Sequence, residues 1–394
     1  IAKKANQVIP NNHLILANLG RLYGSLGEHK KAEEFYIKSI NSNSTDAATL
    51  YGYAIQLLSI GEKDKGSKVL KKIIDLSPTY SMAYFTLSRL VDTKKEAIYV
   101  NKILNFDEAF FKDNLNRYNI LFAKSYIYHR VKNFEQSELY LQKANVLKLI
   151  DKPNNSSKIL TLSREIFESQ EGKINKLNKY CSEIKNIFIV GLPRSGSTLV
   201  ESVLGTNKNV SNLGENSIFF NSFNESNPNN LDKLSGIYSS KIRNIIKNKI
   251  STNKTLINYI YIPYILNRIH NSKIIFTFRN PLDNILSMYR AHFRTGNNFS
   301  SNLVDSAKVY SDQDEIMKIY KKEFKNNIYE LNYDALVTNP SEEIKSLIRW
   351  LGWDWDDLYL YPHLNKRVVS TRSNVQVRSP INAKSLGGWK NYKE

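Results

Sequence analysis

The chain has 394 residues, 41% of them hydrophobic and 11% aromatic, which is enough to build two or three cored domains and too apolar for a disordered tail. Its net charge of +19 comes from lysines spread along the whole chain among many Asn and Ile, a pattern of solvated faces or of contacts to a polyanionic small ligand and not of a nucleic-acid track. One cysteine, Cys181, excludes an intrachain disulfide framework, and no apolar run nears the roughly 18 residues of a transmembrane helix.

In chain order, repeats come first. Gly27 and Gly61 stand 34 residues apart, as do Ala32 and Gly66, while Pro10 and Pro78 stand 68 apart. A period of about 34 belongs to tetratricopeptide repeats, which are pairs of helices. In LANLGRLYGSLGEHKKAEEFYIKSI, Leu19, Gly20 and Tyr23 fall on a first helix, Gly27 at the turn, and Ala32, Tyr36 and Ser39 on a second. A second copy runs from Ala47 through Gly61 to Pro78, with Ala54 and Gly66 at small-residue positions. A third begins at Ser81 and degenerates, and residues 118–147 restore the pattern with Ser137 and Ala144. Each pair buries its face only on a neighbour, which predicts a TPR-like α-helical repeat domain over 1–150.

The stretch IDKPNNSSK, 150–158, reads as a connection, and a helix through Phe167 makes 151–180 a helical linker. Cys181 has no histidine motif beside it and reads as a packing residue, and such thiol usage suits a reducing, cytoplasmic setting. Beyond it lie short apolar runs without alternation: NIFIV at 186–190, KIIFTF at 273–278 and NIYELNY at 327–333. Such runs are the mark of parallel strands covered on both faces. Helical patterns at 198–204, 258–270, 282–293 and 341–351 alternate with them, which predicts a three-layer α/β sandwich of P-loop type with a parallel central sheet over 181–394.

The first of these strands runs into GLPRSGST, 191–198. Strand, glycine loop and helix in that order gather backbone N–H groups and a helix N-terminus at one point, a geometry that holds anions. Gly191, Gly196 and Thr198 match the Walker spacing, but Ser197 occupies its lysine position. No predicted strand ends in an Asp to hold magnesium, so nucleotide-triphosphate hydrolysis lacks two usual parts. The bland alternative is a tight βα turn that needs glycine for packing alone.

The stretch IFIVGLPRSGSTLVESVL, 187–204, resembles the 5′-phosphosulfate loop of sulfotransferases. The likeness is greatest to the group that includes tyrosylprotein sulfotransferases and bacterial proteins pairing tetratricopeptide repeats with a sulfotransferase domain. That resemblance implies the donor 3′-phosphoadenosine 5′-phosphosulfate (PAPS), no metal, and Pro193, Arg194, Ser195, Gly196, Ser197 and Thr198 as its phosphosulfate contacts. FRNPLDNILSMYRAHF, 278–293, is similar to the family's 3′-phosphate site and implies a clamp by Arg279 and Ser287, eight positions apart. Asn280 departs from the family's usual Asp, and the alternative for Arg279 is an ion pair with Asp283. Tyr333, in LNYDALVTNP, matches the tyrosine near the adenosine or is plain core. TRSNVQVRSPINAKSLGGWKNY, 371–392, resembles the C-terminal loop over the donor. It implies Ser373 at the phosphosulfate and Arg378 and Lys384 on the nucleotide; Trp389 reads as packing or, in second place, stacking, and plain disorder is the alternative for so polar a loop.

Sulfuryl transfer needs a base for the acceptor hydroxyl and positive charge on the leaving oxygen. By the same resemblance, Glu215 in SNLGENSIFF is the base, where burial near the donor would make it a stronger proton acceptor; the alternative is an exposed loop glutamate that caps the next helix. Lys254 in TNKTLINYIYIPYI would sit on the bridging oxygen, although this chain has Asn253 and lacks the proline that often follows. Arg194 and Ser373 complete the expected catalytic set. The acceptor is a hydroxyl, and a repeat face suits an extended protein or peptide with a tyrosine-like group; carbohydrate and small metabolites stay open, and the repeats equally suit a homodimer. Neither a nucleic-acid partner nor a membrane span is expected. Two other functions compete: an interaction protein with a nucleotide-sensing α/β domain, and a nucleotide kinase.

Overall fold

The computed structural model describes residue 4 and residues 7–169, 183–226, 231–365 and 376–392. The chain divides into two compact units: 1–153 with 366–376 and 390–394, and 154–365 with 377–389.

The first unit is helical: α1 His13–Ser25, α2 His29–Ser42, α3 Ala47–Ser59, α4 Lys63–Leu76, α5 Ser81–Ser88, α6 Ala97–Leu104, α7 Asn114–Arg130 and α8 Phe134–Asp151. Tight turns at Gly27 (φ 77°) and Gly61 (φ 93°) reverse the chain within the first two hairpins, and Lys132 (φ 62°) takes the same place between α7 and α8. Small residues let paired helices touch. A Cβ on Gly20 would stand 2.9 Å from the Tyr36 ring, and one on Gly66 the same distance from Leu58. A core of Leu50, Ala54, Leu70, Ile73, Ala83, Leu87, Ile120 and Ala123 runs between successive hairpins. The degenerate third pair is visible as two helices of eight residues each, α5 and α6.

Side chains stop and start these helices. Asp46 caps α3 by accepting from Thr49 N, and Asp113 caps α7 by accepting from Asn116 N at 2.9 Å. The Asn116 backbone bond holds the Asp113 carboxyl below its ordinary range, and the Lys102 hydrogen bond does the same to Asp75. A depressed folded value means the stabilisation is complete above the unfolded pKa near about 4 and is lost as pH falls through the folded value. The expected outcome is a Tm that drops on acidification below about pH 4, with Asp113→Ala costing ~1 kcal/mol at neutral pH and flattening that acid limb. Circular-dichroism melts across that range check it.

The second unit begins with α9 Ser156–Ser169, then β1 Lys185–Gly191, α10 Ser197–Leu204, β2 Val210–Asn212, α11 Ile218–Glu225, α12 Leu234–Arg243 and β3 Ile250–Asn253. There follow α13 Ile262–Arg268, β4 Ser272–Phe278, α14 Pro281–Tyr289, α15 Leu303–Glu323, β5 Ile328–Asn332, α16 Tyr333–Thr338 and α17 Pro340–Leu351. The strands form one parallel sheet in the order β2-β3-β1-β4-β5. Successive residues of β1 serve opposite faces: Phe188 and Val190 join Phe219, Tyr238 and Tyr259, while Ile187 and Ile189 join Val200, Val203 and Leu347. Helices cover both faces, so neither needs polar residues. Strand order reverses at β1, with β3 on one side and β4 on the other. In such sheets the crevice beyond the carboxyl ends of the strands at this reversal is the ligand position.

Two strands lie outside the sequence expectations, and two expected elements need correction. The short strands β2 and β3 read VSN and ISTN and were hidden because their polar groups are satisfied internally, as in the Ser251 hydroxyl's bond to Asn186 Oδ1 at 2.9 Å. The helix expected over 258–270 is a 3-10 turn, Leu256–Tyr261, followed by the short α13. Tyr333, expected to close a strand, opens α16, because Asn332 caps that helix by accepting from Asp334 N and Ala335 N. Among the described residues no helix is long and apolar enough to cross a membrane.

Candidate functional site

The loop after β1 is shaped by close backbone approach. A Cβ on Gly191 (φ 146°) would lie 2.4 Å from the Thr277 carbonyl oxygen on β4, and one on Gly196 (φ 92°) would lie 2.2 Å from Tyr333 Cδ2. Between them Arg194 holds a left-handed φ of 70°, and the buried Ser195 hydroxyl meets Thr277 Oγ1 at 2.7 Å. Ser197 and Thr198, both buried, make the first turn of α10. Left-handed residues in quick succession turn consecutive N–H groups toward a common concavity.

The loop is laced to α14 by two bonds. Asn284 Nδ2 donates to the Pro193 carbonyl at 2.8 Å, and Arg194 Nε donates to Ser287 Oγ at 3.2 Å. Arg279 follows β4 directly and is only 5% exposed. Its guanidinium carbon lies 4.9 Å over the Tyr333 ring and its Nη2 donates to the Ser385 carbonyl at 2.8 Å. The sequence alternative of an Arg279–Asp283 pair exists at 3.6 Å, alongside a second carboxylate, Asp334, at 3.7 Å. Neither contact is a short hydrogen bond: Arg279 Nε and Asp334 Oδ1 are both buried without a hydrogen-bond partner. Asp283 instead accepts from Gly387 N at 2.7 Å and Trp389 N at 3.1 Å. Ser385 Oγ meets the Tyr333 hydroxyl at 2.9 Å. Residues 377–389 are thereby tied to the start of α14 and to Tyr333.

One strand over, beyond the end of β3, Lys254 is fully buried and its Nζ lies 2.7 Å from Glu215 Oε1. Glu215 itself is 56% exposed, against the expected burial; it stands on an open turn after β2, not under it. Lys254 N donates to the Gly214 carbonyl at 2.9 Å, so the two segments are paired through the backbone as well.

Thus Arg194 meets Ser287, Pro193 meets Asn284 on the same helix, Arg279 and Gly196 both meet Tyr333, and Glu215 meets Lys254. The Arg378 guanidinium donates to the Asn365 carbonyl, and burial holds its pKa below the usual arginine value. Lys384 is exposed, with its backbone N–H on Asn382 Oδ1 at 3.3 Å. Ser373 and Cys181 lie outside the described residues. The sequence reading missed Asp334, Asn284 and Ser385; only Asp283, one turn after Arg279, carried a visible signal.

The fold and site define a helical-repeat region followed by a parallel α/β domain whose first strand runs into a glycine loop holding Arg194. Residues 14–46 match the tetratricopeptide-repeat family model, and residues 231–357, which include Lys254, Arg279, Ser287 and Tyr333, match the model of the sulfotransferase family. The chain therefore carries a tetratricopeptide repeat and a sulfotransferase-family domain. It is 24% identical over 367 residues to an uncharacterized protein of Aquifex aeolicus (strain VF5), covering 86% of this chain and 48% of that protein. The chain thus spans about half the length of that relative. Among solved structures it is similar to the sulfotransferase domain from the curacin biosynthetic pathway, at 16% identity and TM-score 0.42 over 54% of this chain and 92% of that one. It is also similar to the sulfotransferase domain of the Synechococcus PCC 7002 olefin synthase, at 17% and 0.43 over 55% and 91%, and to mouse sulfotransferase SULT7A1 complexed with PAP, at 18% and 0.38 over 54% and 80%.

The contact between Gly196 and Tyr333 is testable. Gly196→Ala puts a Cβ into the ring at a φ that L residues rarely adopt, so the expected outcome is a tenfold or greater loss of anion affinity, on the order of 1.4 kcal/mol. Titration calorimetry with 3′-phosphoadenosine 5′-phosphate checks it.

Proposed function

We propose that the second unit is a PAPS-dependent sulfotransferase that moves a sulfuryl group to an acceptor hydroxyl. One observation carries the reading: the loop arginine is bonded to Ser287 while Arg279 stacks on Tyr333, which itself abuts the loop glycine. Two cationic groups suited to the two ends of a bisphosphorylated adenosine are thus each tied to neighbours of the same loop and helix, Arg194 through Ser287 and Arg279 through Tyr333. The residues fit such a ligand, because the buried Arg279 Nε has no hydrogen-bond partner and the left-handed loop residues Gly191, Arg194 and Gly196 turn backbone N–H groups toward one concavity.

In this reading PAPS, when bound, supplies the activated sulfuryl group. Arg194, Ser197 and Thr198, with the loop N–H groups and Pro193, Ser195 and Gly196 shaping them, bind its phosphosulfate. Arg279 and Ser287 bind the 3′-phosphate, for which a guanidinium fork is well shaped, and Tyr333 lines the adenosine side. Arg378 and Lys384 add cationic charge from the C-terminal segment, with Ser373 assigned to the phosphosulfate by resemblance. Glu215 takes the acceptor proton, and its exposure leaves it open to an incoming hydroxyl. Lys254, buried and already paired with that carboxylate, holds positive charge where the leaving oxygen forms. The acceptor proposed is a protein or peptide hydroxyl recruited by the repeats, which suit extended chains.

Two outcomes follow. In thermal-shift assays 3′-phosphoadenosine 5′-phosphate raises Tm, whereas ATP with magnesium raises it much less; the reverse ranking would remove the donor assignment. With labelled PAPS and a panel of peptide, sugar and small-molecule acceptors, Glu215→Ala and Lys254→Ala each cut turnover by about 100-fold or more. Wild-type turnover in either purified variant would overturn that residue's role.

A further inference from the structure

Glu201 lies one turn into α10, among the core residues Val200, Val203 and Leu204, and is only 3% exposed. A carboxylate in such a place is costly unless something donates to it. One donor is the Gly214 N–H, 3.1 Å from Glu201 Oε1. The Thr252 hydroxyl is 3.4 Å away and lies closer, at 2.6 Å, to Asn212 Oδ1, so its proton goes mainly to Asn212. Gly214 has a left-handed φ of 62° and precedes Glu215 directly. Its carbonyl accepts from Lys254 N at 2.9 Å. The Gly214 peptide groups are therefore held on one side by Glu201 and on the other by the residue that pairs with Glu215.

We infer that Glu201 is a positioning residue that aims the Glu215–Lys254 pair, so that the helix starting at the anion loop also sets the direction of the two groups beyond β2 and β3. The inference rests on the sulfotransferase reading for what the pair does, but not for the hold on Gly214. On the far side of Glu215, Asn216 N donates to Thr255 Oγ1 at 3.1 Å and the Thr255 hydroxyl donates to the Asn216 carbonyl at 2.6 Å. That second hold survives the loss of Glu201, so the turn loosens at one end and the remainder of the fold persists. A hydrogen bond to a carboxylate is among the stronger kinds, and small misplacement of reacting groups has large effects on rate.

The test compares Glu201→Gln, which keeps an acceptor oxygen at the same reach, with Glu201→Ala and Glu201→Asp, which remove or withdraw it. In the alanine and aspartate chains kcat falls by about 10- to 100-fold while the PAPS KM stays within about threefold, and the glutamine chain recovers most of kcat. Hydrogen exchange of peptides covering 211–217 quickens in the first two and not in the third, with exchange over 186–191 unchanged, and all chains keep their thermal shift with 3′-phosphoadenosine 5′-phosphate. An alanine chain that does not fold leaves the aspartate–glutamine comparison to decide. Wild-type kcat in the aspartate chain, a glutamine chain as impaired as the aspartate one, or unchanged exchange at 211–217 would overturn the inference. If the wild-type chain itself turns over no acceptor, the sulfotransferase reading fails, and the exchange measurement alone still decides whether Glu201 holds the turn.

Discussion

The second unit depends on one steric constraint, the absence of side chains where β1 leaves the sheet. Gly191 passes the Thr277 carbonyl so closely that a Cβ has no room, and Gly196 is pressed on by Tyr333. With those approaches allowed, the loop lies flat on the carboxyl end of β4, and Arg194 reaches Ser287 on α14. Without them the loop would stand off the sheet by the thickness of a side chain, and neither Arg194 nor the N-terminus of α10 would face the group that follows β4. Packing at the interior's density transmits such displacements instead of absorbing them.

Around that cradle the charges are arranged by burial more than by number. Arg279 is shared by Asp283 and Asp334 at distances too long for a strong hydrogen bond with either, and Asp283 is drawn off by two backbone N–H groups of the C-terminal segment. The guanidinium is thus neutralised enough to be buried, while its Nε keeps an unused donor. Lys254 is in the opposite position, fully buried with a carboxylate partner that faces solvent. A buried ammonium is tolerable only with such a partner, and removing one member strands the other. The Glu215–Lys254 pair is therefore a structural unit as well as the proposed chemical one, which is why a second carboxylate, Glu201, matters for how it is aimed.

Legibility in the sequence followed the physics of each element. The 34-residue spacing was readable because Gly27 and Gly61 must take a left-handed turn and because Ala32 and Gly66 sit where helices touch. The strands β1, β4 and β5 were readable because two covered faces leave an unbroken apolar run. β2 and β3 were not, since Ser251, Thr252 and Asn253 are buried through side-chain hydrogen bonds that no hydrophobic pattern records. The loop residues and Arg279 could be picked out locally, but the partners Asp334, Asn284 and Ser385 stand 55, 91 and 106 positions from the residues they touch and carry no motif of their own.

By itself the sequence determined the local conformations: which glycines must turn left-handed, which runs are strands covered on both faces, and that a strand, loop and helix in order offer N–H groups to an anion. Those properties depend on near neighbours along the chain. Only the tertiary structure decided that Arg279 shares Tyr333 with the loop, that Glu215 stands open while Lys254 is sealed, and that Glu201 grips Gly214. Each of these is a distance between segments far apart in sequence, and such distances are set by strand order and by packing across the sheet, which local pattern does not encode.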